Sequence, residues 1–279
     1  MTSTDDEALR AADRAWLELA TDPDGQRATV ELAERHVTPL GRLYGGAALC
    51  FVAALIEAAA ARRLRWATVQ FISPAEHGDR LDLHTEVLAA GHRTSQVRVV
   101  ATCAGRTVLH GIGAAANDNP KIPGGTPLTP PVVPPPAQCP PLPLPPFPAP
   151  RLGFLSLSEA RDASGSGVAP VAGGDTWPRR WVRYDDCCIT RPALMAMVAD
   201  VVPGPLMQAV GERGTGTSLD NTIRVGSAPD SEWLLADVVA EHVSDGFGYG
   251  SVHLWTPEGA LAGTGSQTAS LWHFEGRVT

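Results

Sequence analysis

The sequence predicts an α+β protein built from two helix-plus-antiparallel-sheet halves joined by a proline-rich linker. Three observations carry this. An apolar, alanine-rich helical stretch is followed by four strand-like runs. The same order of elements returns later in the chain. Between the two, 15 of the 25 prolines fall between Pro120 and Pro150. These features divide the chain into an N-terminal half (1–118), a linker (119–150) and a C-terminal half (151–279).

The first half opens with "EALRAADRAWLELA", a surface helix by its pattern. After Gly41 comes "RLYGGAALCFVAALIEAAAARRL", in which Leu49, Val52, Ala53 and Ile56 recur at helical spacing. High alanine content and the absence of proline favour a long buried helix. Period-two runs then predict strands at about 67–73, 81–89, 94–102 and 106–116. Turn signals separate them at Pro74–Asp79, Gly91-His92 and Ala104-Gly105. In the second half, "RPALMAMVAD" carries Leu194, Met197, Val198 and Val201 on one stripe. Pro192 suits a helix start, and Pro203 must end or kink the helix. Four strand-like runs follow: "TSLDNTIRV", "EWLLADVVAEHVS", "YGSVHLWTPEG" and "ALAGTGSQTASLWHF". "VATCAGRTVLHGIGAAA" lies over "LWTPEGALAGTGSQTAS" at a constant spacing of 154 residues, the mark of an internal duplication of roughly 120 residues. A long apolar helix needs its whole surface covered, and a meander with one apolar face can wrap it. That is the hot-dog architecture, here expected twice in one chain. Polyproline II rises about 3.1 Å per residue, so the proline stretch can cross a whole domain face without joining either core.

Composition bounds the function. Apolar residues make up 44% and charged residues 19%, ample for a core, and the net charge of −8 argues against nucleic acid or an anionic membrane as the main partner. No long uncharged apolar run predicts a span, and "MTSTDDEALR" lacks a signal-peptide core. Five cysteines, an odd number without framework spacing, fit reduced thiols in a cytoplasmic protein. Cys187-Cys188 reads as two packed thiols, since C-x-x-C spacing is absent. Trp177, Trp181, Trp233, Trp255 and Trp272 are expected in the core or at interfaces.

Most catalytic signatures fail. G-x-S-x-G, H-E-x-x-H, a P-loop and zinc spacing are all missing. "GIGAAA" at Gly111–Ala116 matches a dinucleotide fingerprint in letters only, because "NDNP" follows it where a helix is needed. "PPVVPPP" reads as linker before it reads as a polyproline ligand. What remains is the comparison of halves. Asp200 flanks the stripe of the second helix. The matching place in the first half holds Leu55 or Cys50, depending on the alignment. Gln267, on the last strand, matches Gly113. A buried carboxylate is costly unless hydrogen-bonded, so polar groups present in one copy alone point to a site. Ser218, opening the strand after the helix, can complete a cluster. The blander readings are a solvated helix-end carboxylate, a strand glutamine bonded to backbone and a turn hydroxyl.

Through "LGRLYGGAAL", "ATVQFISPAEHGDRLDLHTEVLAAGHRTSQVRVVATCAGRTVLHGIGAA", "LMAMVAD", "TSLDNTIRV" and "SEWLLADVVAEHVSDGFGYGSVHLWTPEGALAGTGSQ", the sequence resembles the acyl-CoA thioesterase II family of double hot-dog proteins. The resemblance spans nearly all of the chain outside the termini and linker. It implies hydrolysis of an acyl thioester, of CoA or of a carrier, by a water held by an Asp, a Thr or Ser, and a Gln; these positions are Asp200, Ser218 and Gln267. It implies neither metal nor other cofactor, and a homodimer or higher homo-oligomer is expected. The chain departs from the family pattern at Asp220-Asn221, where Asp-His is common, and at Gln267-Thr268-Ala269, where Gln-Glu-Gly is common. A non-catalytic acyl-thioester binding protein is the alternative. A hot-dog hydratase is disfavoured, because no histidine stands at the matching place beside Asp200.

Overall fold

A computed structural model of the chain describes residues 3–22, 25–142, 152–164 and 179–273. The first half runs α1 (Ser3–Trp16), β1 (Ala20–Thr21), β2 (Arg27–Glu31), α2 (Gly45–Ala60), β3 (Arg63–Phe71), β4 (Arg80–Ala90), β5 (Thr94–Cys103) and β6 (Arg106–Ala116). The second runs β7 (Ser158–Asp162), β8 (Arg179–Tyr184), α3 (Pro192–Ala199), α4 (Pro203–Ala209), β9 (Gly214–Ser218), β10 (Asp220–Val225), β11 (Leu234–Ser244), β12 (Phe247–Trp255) and β13 (Leu261–His273). The spacing of 154 read from the sequence holds along the whole of β4 and β11.

All the strands form one sheet, in the order β1-β2-β4-β5-β6-β3-β10-β13-β12-β11-β8-β7, with β9 also on β13. Each half thus contributes an antiparallel meander, and the halves join edge to edge where β3 pairs with β10. At the seam Thr68 stands opposite Thr222, its own counterpart at the spacing of 154, and their hydroxyls lie 2.7 Å apart. A residue paired with its own counterpart marks the pseudo-twofold axis.

The sheet's inner face wraps the helices. Leu81 and Leu83 on β4, and Val97, Val99 and Ala101 on β5, are buried while their neighbours face out, which is the period-two alternation of a half-covered sheet. α2 is buried from Gly46 to Glu57. It packs against α3 closely enough that a Cβ on Gly46 would lie 3.0 Å from the Ala196 carbonyl. α1 ties the halves together. Trp16 Nε1 donates to the Asp185 carbonyl (3.0 Å), and Arg191, just before α3, pairs with Asp13 at 2.6 Å.

Several expectations need correcting. The short strands β1, β2, β7 and β8, at and next to the two edges of the sheet, and the short helix α4 carry signals too brief to read. "TSLDNTIRV" is two strands broken at Leu219. The second helix stops at Ala199 and does not reach Val201. Trp181 and Trp255 are buried, but Trp272 is 37% exposed; Trp177 lies outside the described residues.

The proline stretch does join a core. Val133 and Cys139 pack with Trp181, Leu235 and Trp255 in a separate cluster on the outer face of the second half's strands. Trp181 Nε1 donates to the Pro134 carbonyl (2.9 Å), and the Asp162 and Leu142 amides bond across between β7 and the stretch. Trp181 on β8, Leu235 on β11 and Trp255 on β12 present an apolar outer surface beside the β7 edge, and the proline segment covers it with few backbone donors of its own to satisfy. Residues 143–150 of the stretch lie outside the described residues.

Candidate active site

Asp200 occupies a break between two helices. Pro203 has no N–H to give and its ring opposes the carbonyl four residues back, so α3 cannot run through it. Pro203 instead starts α4 at a position where the missing donor is harmless. Asp200 leaves helical geometry (φ −83, ψ 60). The Tyr44 hydroxyl holds the break by donating to the carbonyls of Met197 (2.8 Å) and Asp200 (3.0 Å), and the Arg180 guanidinium reaches the Val201 carbonyl (3.4 Å).

The carboxylate points at the start of α2. Oδ2 accepts the Gly46 N–H at 2.6 Å, one of the donors a helix N-terminus leaves without an internal partner. The positive end of the helix dipole favours the charge there. Gly45 is needed for this approach: a Cβ on it would stand 2.6 Å from Asp200 Oδ2. Oδ1 accepts from Gln267 Nε2. The same nitrogen donates to Ser218 Oγ at 3.0 Å, and Gln267 Oε1 accepts the Val202 N–H at 3.1 Å. Asp200, Ser218 and Gln267 therefore form one hydrogen-bonded group, assembled from the helix break, β9 and β13. Burial pushes the Asp200 carboxyl up to about 6, and the Gly46 and Gln267 donors oppose that rise.

The first half has no such group, for a physical reason. A Cβ on Gly113 would collide with the Trp66 carbonyl and come within 2.7 Å of Ile56 Cδ1. α2 thus packs directly on β6 where the second half fits a glutamine. The one acid of α2, Glu57, is buried and accepts the Leu64 N–H at 2.7 Å. Desolvation raises its pKa to about 7.

The sequence alone assigns no role to Tyr44, Gly45 or Gly46, although "LGRLYGGAAL" is among the stretches that carry the family resemblance. Two adjacent glycines opening an otherwise alanine-rich helix are the signal: glycine is a poor helix former, so its use there requires a close approach. A depression of about 290 Å³ lined by Thr68, Gln70, Arg98, His110, Ile112 and Asp220 lies on the sheet's outer face, away from Asp200. Among the described residues no group of three or more His, Cys, Asp or Glu could hold a metal ion, and no helix is long and apolar enough to cross a membrane.

Two helices, each wrapped by its own meander within one continuous sheet, define a double hot-dog protein. Residues 33–115 match the model of the acyl-CoA thioesterase N-terminal domain and residues 136–271 that of the acyl-CoA thioesterase C-terminal domain. Among solved structures, a candidate thioesterase from Novosphingobium aromaticivorans is 30% identical, with a TM-score of 0.81 over 91% of this chain and 98% of that one. A candidate thioesterase II from Thermobifida fusca is 21% identical, with a TM-score of 0.79 over 95% and 99%. An acyl-CoA thioesterase II from Mycobacterium marinum is 16% identical, with a TM-score of 0.70 over 96% and 100%; these last two speak to the fold. A search of curated proteins found no match. The chain belongs to the acyl-CoA thioesterase family.

Proposed function

We propose that the protein hydrolyses an acyl-CoA to the free acid and CoA, with Asp200 as general base. The observation that carries this reading is the part-buried Asp200–Gln267–Ser218 group, found in one half of a duplicated fold and replaced by glycine and apolar packing in the other. Asp200 takes a proton from water as the water oxygen bonds to the thioester carbon. The carbonyl π pair moves onto oxygen. When it returns, the C–S bond breaks and the departing sulfur receives the proton from Asp200. A base with a pKa near 6 is ionised at neutral pH yet strong enough for this transfer, which is typically worth 10²–10⁴-fold.

Gln267 fixes the carboxylate through Oδ1 and is itself fixed by the Val202 N–H. Ser218 Oγ accepts from Gln267, which leaves its own hydrogen free to turn towards the water. In this reading the C-terminal half holds the chemistry and the N-terminal half lends the start of α2.

Thiol release by the purified chain, measured over short, medium, long and aromatic acyl-CoAs, tests the proposal. Release from at least one class is expected. Calorimetric binding of acyl-CoA with no thiol released from any of them would instead assign the protein to binding alone.

A further inference from the structure

Asn221 is wholly buried, at 0% exposure, and neither its Nδ2 nor its Oδ1 meets a hydrogen-bonding partner in the protein. Leaving a buried polar group unpaired destabilises the fold, so this is no residue for a position that only has to pack. β10 runs beside β13 with Thr222 opposite Ser266, and continuing that register by one residue sets Asn221 across from Gln267. Both side chains lie on the buried face, in alternation with the fully buried Ile223. Facing residues on neighbouring strands have Cβ atoms about 4.5–5.5 Å apart, which puts the free amide beside the Asp200 network.

The first half supplies the control. At the spacing of 154, the counterparts of Asn221 and Gln267 are Ala67 and Gly113, and these two are cross-strand partners of one another. The same place in the same fold is built from alanine and glycine on one side and from two amides on the other. The sheet does not need Asn221; the residue goes with the site.

A census of donors shows what it can add. The Gly46 N–H and both hydrogens of Gln267 Nε2 are engaged with Asp200 and Ser218, the Val202 N–H is bound to Gln267 Oε1, and the Tyr44 hydroxyl is bound to backbone carbonyls. The Asn221 NH₂ is an uncommitted donor on the same face. We propose that Asn221 is a further catalytic residue, its Nδ2–H donating to the thioester carbonyl oxygen as that oxygen takes up negative charge. This rests on the hydrolase reading above. As the water oxygen bonds to carbon, the π pair settles on the carbonyl oxygen against the amide N–H. When the C–S bond breaks the pair returns, and the donor is left on the neutral acid. A donor placed in advance in a dry site stabilises this charge without reorganising at the moment of reaction.

The test uses the full chain with Asn221→Val and Asn221→Thr, two side chains of one shape of which only threonine keeps a donor, beside wild type and Asp200→Asn. Thiol release from the best acyl-CoA substrate is followed with thermal melting. Asn221→Val is expected to lower kcat by 10²–10³-fold with little change in KM. Asn221→Thr should recover at least about tenfold of that loss, and the two variants should melt alike. Equal kcat for Val and Thr overturns the assignment, as does wild-type kcat in Asn221→Val. Should the valine variant fail to fold, Asn221→Leu, equal in shape and without any donor, is expected to show the same loss; full kcat there overturns the assignment. If the wild-type chain releases thiol and Asp200→Asn does not, the hydrolase reading stands whatever the Asn221 variants do. A wild-type chain that releases none overturns both.

Discussion

The two halves of this protein share one chain plan and differ at the helix. In the first, α2 runs unbroken through 16 residues and lies flush on β6, with glycines where strand side chains would strike Val52 and Ile56. In the second, proline stops the helix after eight residues, and the gap between α3 and α4 admits a carboxylate from one side and a glutamine from the other. Close packing and a hydrogen-bonded polar cluster are alternative uses of the same space. In the first half the space is packed, and the start of its helix donates to its neighbour's cluster.

The largest effect expected from breaking this difference is at the carboxylate itself. Asp200→Asn keeps the shape and the bond from Gly46 but removes the base. It should lower kcat by at least 10²-fold in a thiol-release assay. It should also melt higher than wild type at neutral pH. The folded-state pKa is raised from 3.8 to about 6, so the stability this group contributes is present below the unfolded value and lost as pH rises through 6. An inactive variant that is more stable distinguishes a site residue from a structural one.

Next in size is Gly45→Ala. The added methyl must displace the Asp200 carboxylate or the helix start. Misplacement on this scale can reduce kcat by about ten- to a hundredfold, while circular dichroism should show an intact fold. Gly113→Ala carries the comparison into the first half, where the methyl meets Ile56 and the Trp66 backbone. There it should lower stability by about 1–3 kcal/mol, seen in urea unfolding, and leave kcat of the folded enzyme unchanged. The smallest effect concerns Glu57. Its pKa is raised by burial from 4.5 to about 7, so its contribution to stability is full below 4.5 and gone above 7. Glu57→Gln should raise the melting temperature modestly above pH 7 and hardly at all near pH 4.5, with activity unaffected.

Much of this was legible in the sequence because a duplication carries its own control. The 154-residue spacing aligns Gln267 with Gly113 in the sequence itself, and a polar residue over a glycine is readable in one line of text. The strands of both meanders follow period two, a pattern that burial imposes directly. Asp200 is harder: it flanks the stripe of Leu194, Met197, Val198 and Val201, which reads as a helix that continues past it, and only three-dimensional packing shows the carboxylate turned onto Gly46. The role of the "RLYGG" glycines depends on a partner about 155 residues away, which no local pattern encodes. Asn221 stood out as an unusual letter, but its lack of partners is a property of the folded interior. The composition of the proline stretch says extended; it does not say that Trp181, Trp233 and Trp255 meet it on the outer face of the second half's strands.

The central claim is that one part-buried carboxylate, in the half with the broken helix, acts as the base. The most direct test is kcat/KM for acyl-CoA hydrolysis as a function of pH, in wild type and in Asp200→Asn. For wild type the rate should rise with pH through a single ionisation near 6 and then level off, since the ionised form is the active one. In Asp200→Asn that rise should vanish along with most of the rate. A wild-type profile that falls or stays flat through that range, or the same inflection surviving in the variant, would contradict the account.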